Sequence, residues 1–355
     1  MQQWRSVMKT IVFFNNKGGV GKTTLACNVA SYLQNETNLK IILIDADPQC
    51  NATQLYFSDN QIENIYNTIE SKNTLYYILK NIEDGESKIN EDFEILRKRE
   101  SKYRTDIIVG HPNLSMLEDR LSNAWKDLIG LEIGGARITN WMHQLLIYLK
   151  KEYDIAIIDV GPSLGALNRS VLLASDYFFA PLGCDIFSIL GIENISTWID
   201  QWSKSYTRSI SNIKEGRKAS SLDNYKIITD ISNKFMLCGF TVQQYVTKTI
   251  KKGEQRAVKA YDDIKREMPR AIGEKLAYLI PPHINKDDLE YISIPYLYSL
   301  IPMSQSNHCP IYRLTGKEGI VGNQYLQVAK YRDTLSVLCK KLLHNIQFDG
   351  ASSNV

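Results

Sequence analysis

No stretch of this 355-residue sequence stays apolar for long. The longest apolar runs, such as SVLLASDYFFAPLG, are interrupted by Ser, Asp and Pro and fall short of the ~20 residues that a spanning helix requires. That shortage argues against a helical membrane span and predicts a soluble protein. Cysteine is sparse and scattered. Cys27, Cys50, Cys184, Cys238, Cys309 and Cys339 form no CxxC pair and no metal-ligand spacing, and no signal peptide precedes them, so reduced thiols in the cytoplasm are expected. Charge of one sign is also lacking. Lys and Arg number 42 against 39 Asp and Glu, too small an excess to mark a nucleic-acid binder unless the basic residues cluster locally. There is no internal repeat and no low-complexity tract.

With 44% hydrophobic and 23% charged residues, the chain can bury a sizeable core. Short apolar runs recur at 10–15, 40–47, 105–110, 153–160, 176–182, 235–242 and 297–302, with helical patterns between them. Each is bounded by turn residues and is apolar throughout rather than alternating, as strands covered on both faces are. The expected fold is α/β: a doubly wound, mainly parallel sheet flanked by helices, in one large domain over 1–355. Three regions read as additions to it. Residues 58–104 are polar and predicted helical with loops, 203–234 are serine-rich and predicted to be a surface excursion, and the tail from 347 reads as frayed.

The stretch NNKGGVGKTT, Asn15 to Thr24, follows the first apolar run and opens an apolar helix, the strand–turn–helix context of a phosphate loop. Gly18, Gly19 and Gly21, with Val20 between them, let backbone N–H groups turn inward as an anion nest. The helix beginning near Lys22, Thr23 and Thr24 aims its positive end at the same place. Lys22 adds a point charge for β- and γ-phosphates, and the Thr23 hydroxyl can ligate Mg²⁺. The loop deviates from the ordinary motif in having a second lysine, Lys17, ahead of the glycines. Asp45 and Asp47 end the second apolar run and point to one side, since strand side chains repeat every two residues. Asp159 ends another run. In such a sheet ligands sit at the carboxyl ends of strands, and a buried carboxylate there is costly without a cation.

The stretches KGGVGKTTLACNVASYL, IILIDADPQCNAT, IIVGHPNLSMLEDRL and YDIAIIDVGPSLGALNRSVLLASDYFFAPLGCDIFSILGI resemble, in this order, those of the ParA/MinD family of deviant Walker ATPases. DPQCNAT is closest to the plasmid and chromosome partition branch. The likeness covers residues 8–57, 105–195 and, weakly, 235–345. It implies a P-loop ATPase that uses ATP and Mg²⁺ and forms a homodimer on ATP binding. Lys17 matches the family's signature lysine, which reaches across the dimer interface to the nucleotide of the partner subunit. The resemblance further implies that Asp47 positions the attacking water, that Asp45 supports the Mg²⁺ shell, and that Asp159 is the Walker B aspartate. It places adenine near Pro302 and Met303. Two positions depart from the pattern. Gly161 replaces a usual proline, implying a more mobile switch loop and slower hydrolysis, and Cys50 replaces a usual glycine, implying a different local turn.

Residues 244–270 hold eight basic side chains against four acidic ones. The resemblance implies sequence-independent DNA binding here by the ATP dimer, through Lys248, Lys251, Lys252, Arg256 and Lys259, since phosphate contacts need charge rather than base-reading geometry. An ordinary solvated helix face is the plainer reading, and Gly253 interrupts the helical pattern. A ParB-like partner that stimulates hydrolysis is implied, with nucleoid association if DNA binding holds. Alternatives stay open: an ATP-controlled recruitment or positioning scaffold that acts on a protein without DNA, or membrane attachment through Leu335, Leu338, Leu342, Leu343 and Ile346 beside Lys340 and Lys341. A core-packed last helix explains those leucines as simply. Some nine residues precede the first strand, so no helix-turn-helix domain is expected before it, and Cys184 is not read as an iron–sulfur ligand.

Overall fold

The computed structural model describes residues 7–67, 71–216, 222, 224–245 and 255–348, with the backbone alone at 244–245 and 255–262. Seven strands form one parallel sheet: β1 (Lys9–Phe13), β2 (Ile41–Asp45), β3 (Asp106–Ile108), β4 (Ile155–Asp159), β5 (Tyr177–Gly183), β6 (Met236–Tyr245) and β7 (Ile294–Pro295), in the order β3-β2-β4-β1-β5-β6-β7. The helices that cover it are α1 (Lys22–Glu36), α2 (Asn51–Tyr56), α3 (Asp59–Asn67), α4 (Leu75–Glu83), α5 (Leu117–Ile129), α6 (Ile133–Thr139), α7 (Trp141–Leu149), α8 (Ala166–Ala174), α9 (Ile186–Gly216), α10 (Gln255–Lys275), α11 (Leu300–Asn307) and α12 (Gln324–Asn345).

The unbroken apolarity of the strand sequences has a direct cause in the packing. Ile11 and Phe13 of β1, Ile41 and Leu43 of β2, and Ile155 and Ile157 of β4 face one core with α1 and α12. Their neighbours Val12, Ile42, Ile44, Ala156 and Ile158 face a second core, with α4, α5, α7, α8 and α9. Two-sided burial leaves no room for polar alternation. β1 pairs with β4 on one side and β5 on the other. The chain winds outward from β1 in both directions, and the crevice at its carboxyl end is the topological switch point, where open α/β sheets bind ligands.

Three expectations change. The run 297–302 is not a strand: β7 ends at Pro295 and Leu300 begins α11, with Pro302 in its first turn, where a missing N–H costs nothing. Residues 203–216 are the second half of α9 rather than a surface excursion, and Tyr206, Ile210, Ile213, Leu222, Ile227, Ile228 and Ile231 are buried. Ser203, Ser205 and Ser211 occupy more exposed positions and Ser209 is buried, and a serine-rich count hid the spacing of the large apolar residues. Within 58–104, Leu75, Ile78, Leu79 and Ile82 of α4 are fully buried, so this stretch supplies core and not only surface. At the chain's other end Leu335, Leu338, Leu342, Leu343 and Ile346 are packed in the core against α1, which leaves none of them for a lipid surface. Among the described residues no helix is long and apolar enough to cross a membrane. Lys248, Lys251 and Lys252 lie outside the described residues, and Arg256 and Lys259 are placed on α10 by backbone only.

His143 on α7 gives the fold a pH dependence. Burial first, then repulsion from Lys234, lowers its pKa to about 4 against the attraction of Asp176. A base whose folded pKa lies below its unfolded value contributes stability that is complete above the unfolded pKa and lost as pH falls through the folded one. Asp45, raised to about 6, acts in the opposite sense over the same range. We therefore expect the urea midpoint of His143→Gln, which keeps a neutral polar side chain, to fall less than that of the parent between pH 6.5 and pH 4.5. Parallel curves would show that His143 does not resist protonation in the folded state.

Candidate nucleotide site

The turn between β1 and α1 is built for an anion. Gly19 and Gly21 both hold φ at 74°, a left-handed conformation that a side chain would strain. Gly21 is the N-cap of α1 and contributes no capping side chain, and the first turn of the helix carries no acidic residue, so its N–H groups and positive end face the loop unanswered. The loop is anchored from beneath by buried Asn15, whose amide donates to the Pro181 carbonyl at 2.8 Å and accepts from the Lys17 N–H at 3.1 Å. The Lys22 ammonium folds back over the loop and donates to the Lys17 carbonyl at 2.9 Å. Burial lowers its pKa, opposed by Asp159 and Asp47.

The two lysines diverge. Lys17 turns away from the nest and forms an ion pair with Asp185, just before α9, with its ammonium 5.9 Å from the centre of the Phe187 ring. Beside it Ile186, Phe187 and Leu190 are exposed, Phe187 by 68%.

The three aspartates share one corner but not one role. Asp45 and Asp159 lie side by side in the register of β2 and β4. Asp45 is well engaged: its Oδ2 accepts from the Thr53 N–H at 2.8 Å and the Thr53 hydroxyl at 2.7 Å, and its Oδ1 from the Asp47 N–H at 3.3 Å. Thr53 in turn accepts from the Gly110 N–H at 2.9 Å. This network fixes the turn from β2 into α2 through Oδ2 and leaves Oδ1 with the single 3.3 Å bond. Asp159 is the opposite case, fully buried with neither oxygen hydrogen-bonded. Burial first and Asp45 second push its pKa well above the usual carboxylate range, opposed by Thr23 and Lys22. A sealed, unpartnered carboxylate beside a threonine hydroxyl fits a cation. Thr23 and Asp159 would hold Mg²⁺, which keeps several waters and needs few protein ligands. Among the described residues no group of three or more His, Cys, Asp or Glu side chains suited to a metal occurs.

Asp47 accepts from the Gln49 N–H at 2.9 Å and is otherwise turned toward the loop after β4. A Cβ added at Gly161 would lie 2.9 Å from the Asp47 Oδ1, so this glycine makes room for the carboxylate. The same loop is tied down by Asn168, whose amide donates to the carbonyls of Gly161 at 2.7 Å and Ser163 at 2.8 Å, and by Glu118, which caps the start of α8. Cys50 takes the left-handed conformation, φ 55°, at the N-cap of α2, which is why glycine suits the position better.

These groups open into a cavity of about 1010 Å³ lined by Gly18, Gly19, Gly21, Lys22, Thr23, Thr24, Asp47 and Pro162, then by Gln49, Asn51, Gln54, Leu55, Ser58, Asp59 and Asn60 from α2 and α3, and by Gln305, Ser306 and His308 from the end of α11. Val20 is buried beneath the loop. Pro302 and Met303 lie on α11 but do not line the cavity. The polar residues one turn later do, and the His308 ring meets the Gln54 carbonyl at 3.0 Å to close the far wall. The α2 and α11 contributions carry no spacing signal in the sequence, because only the tertiary fold brings them opposite the loop.

A family model described as an AAA domain matches residues 8–212, more than half of the chain. The virulence plasmid ParA family proteins of Chlamydia psittaci and Chlamydia trachomatis are 33% and 31% identical over 53% and 58% of this chain and 62% and 68% of their own lengths. The chain belongs to the ParA family of P-loop ATPases. It spans less than two thirds of the C. psittaci relative. A solved protein of Corynebacterium diphtheriae is 30% identical, with a TM-score of 0.66 over 85% of this chain and 97% of that one. A putative plasmid partition protein of Borrelia burgdorferi, bound to AMPPNP, shares the fold at 16% identity, with a TM-score of 0.54 over 95% and 100%.

The glycine at 161 carries a prediction for this ParA-family site. Gly161→Ala should displace the Asp47 carboxylate, leaving ATP affinity nearly unchanged and lowering turnover by up to ~100-fold, the scale of a 1 Å misplacement. Single-turnover hydrolysis beside equilibrium nucleotide binding separates the two. Undiminished turnover would mean that hydrolysis does not depend on the Asp47 carboxylate in the position seen here.

Proposed function

We propose that this chain is an ATP-dependent dimerising switch that binds DNA without sequence preference and acts in DNA partitioning with a stimulating partner protein. The divergence of the two lysines is the observation that carries the reading. Lys22 already serves the loop of its own subunit. Lys17 points outward, held by a partly exposed ion pair of the kind worth ~0–1 kcal/mol, and so is cheap to release. The exposed Ile186, Phe187 and Leu190 beside it are suited to being covered by a second copy.

In this reading ATP occupies the loop, with its β- and γ-phosphates against Lys22 and the backbone nest. Mg²⁺ bound between Thr23 and Asp159 would supply charge neutralisation at the phosphates. Asp47 orients the attacking water, with Asp45 and Thr53 holding its turn in place. A second copy meets the first across the nucleotide, each Lys17 exchanging Asp185 for the partner's phosphates, where it offsets charge that grows during phosphoryl transfer. Hydrolysis then favours the separated form, and DNA contact follows the dimer.

Four variants test this order of events. Lys22→Ala should lose ATP binding. Lys17→Gln should bind ATP but stay monomeric by light scattering, whereas Asp185→Asn should shift the ATP-loaded protein toward dimer. Asp47→Ala should retain ATP and accumulate dimer without turnover, and hydrolysis at the parental rate would refute its water-positioning role. DNA binding should require ATP and weaken steeply with salt. A partner protein captured only with ATP, in the absence of any duplex binding at low salt, would move the reading to a recruitment scaffold.

A further inference from the structure

A second charged recess lies at the other end of the sheet. The strands are parallel, the nucleotide cavity is at their carboxyl ends, and this cleft forms where α1 stops and the chain approaches the start of β3. It has a volume of about 480 Å³ and is lined by Gln34, Asn35, Lys98, Arg99, Ser101 and Arg104. The segment Arg97–Arg104 carries five cations and one carboxylate, Glu100. The cations are not equivalent. Arg97 is engaged by Asp106 at 3.0 Å, Glu152 at 2.6 Å and the Tyr153 hydroxyl at 3.0 Å, and Lys102 lies 3.5 Å from Glu318. Arg99 has its neighbour Glu100 at 3.2 Å but is 86% exposed. Lys98 and Arg104 are exposed and have no ion-pair partner among the described residues. The other nearby acid, Glu36, is paired with Arg332 at 2.9 Å.

The floor beneath these cations is fixed. Tyr103 is fully buried and stacks on Tyr56 at 4.3 Å, and its carbonyl accepts from the Ser31 hydroxyl at 2.6 Å and the Asn35 amide at 3.1 Å. Asn35 also accepts from Arg313 at 3.2 Å. Arg104 follows in a left-handed conformation, φ 54°.

We propose that this cleft is a second contact for the phosphates of duplex DNA, additional to the 244–270 segment; the proposal rests on the DNA-binding part of the reading above. Guanidinium groups match phosphate oxygens in a planar, bidentate fashion, and a lysine adds charge. The lining has no apolar wall to hold a base or a small organic group, and its cations are exposed, as contact with backbone phosphates requires. Two copies meeting across their nucleotide sites would leave this end of each subunit facing outward.

The test compares the parent with a triple variant, Lys98→Gln, Arg99→Gln and Arg104→Asn, the last chosen because asparagine tolerates the left-handed backbone. Binding of a fluorescent duplex is measured with ATP and Mg²⁺ across a salt series. The expected result is unchanged ATP binding, a loss of affinity of about tenfold or more at low salt, and a log–log salt slope shallower by up to ~2.7 per subunit, the value for three lost phosphate contacts. A double variant of the parent, Arg99→Lys and Arg104→Lys, should keep most of the slope. A control on α9, Lys204→Gln, Arg208→Gln and Lys214→Gln, should leave it nearly unchanged. If the parent binds duplex with ATP and the triple variant binds equally with the same slope, the cleft is overturned while the switch reading stands. An equal loss in the α9 control would overturn it as a general charge effect. Capture of tripolyphosphate by the cleft in a parent that binds no duplex would overturn both this proposal and the DNA part of the reading.

Discussion

Asp159 sits at the end of β4 with both oxygens buried and unpartnered, one strand from Asp45 and across the crevice from Lys22. A lone carboxylate of this kind is expensive to enclose, and the cost is tolerable only where a cation offsets it. Much of the surrounding construction serves that requirement. The central strands are buried on both faces, so their ends are rigid. β1 delivers the glycine turn beside β4, and α1 aims its positive end into the same crevice. A cation held there beside the phosphates of a nucleotide would offset that cost.

The neighbouring aspartates show how chain position alone fails to assign roles. Asp45 and Asp47 are two residues apart and face the same way, yet Thr53 takes up the first while the second reaches the loop after β4. That separation gives the two carboxylates different surroundings. Asp45 and Thr53 stiffen the entry to α2, and α2 together with the end of α11 walls the cavity. Gly161 belongs to the same arrangement: its missing side chain is the space into which the Asp47 carboxylate turns.

Lys17 connects the site to the exterior. Its backbone is part of the nest, through the carbonyl that accepts from Lys22, while its side chain leaves the nest for Asp185 at the edge of an exposed apolar patch. The loop and that patch, far apart in the chain, thereby meet through the Lys17 side chain, whose ammonium lies 5.9 Å from the centre of the Phe187 ring. A partly exposed ion pair of this kind is a weak contact, easily exchanged for a stronger one.

The phosphate loop, the strand-end aspartates and the doubly covered sheet could be read directly from the chain, because each depends on local chemistry or a short period: glycines where φ must be positive, carboxylates spaced for one side of a strand, apolar runs too continuous for a wet face. The burial of 203–216 was hidden because serines mask the spacing of Tyr206, Ile210 and Ile213 on a long helix. The short β7 and the start of α11 were hidden because an apolar run ending in proline suits an edge strand and a first helical turn alike. What the fold alone decided is which polar groups meet across sequence distance: Gln54 with His308, Asp45 with Gly110 through Thr53, Gly161 with Asp47, and Asn35 with Tyr103 and Arg313. Those pairings arise from how helices seat on a sheet, and no local pattern encodes them.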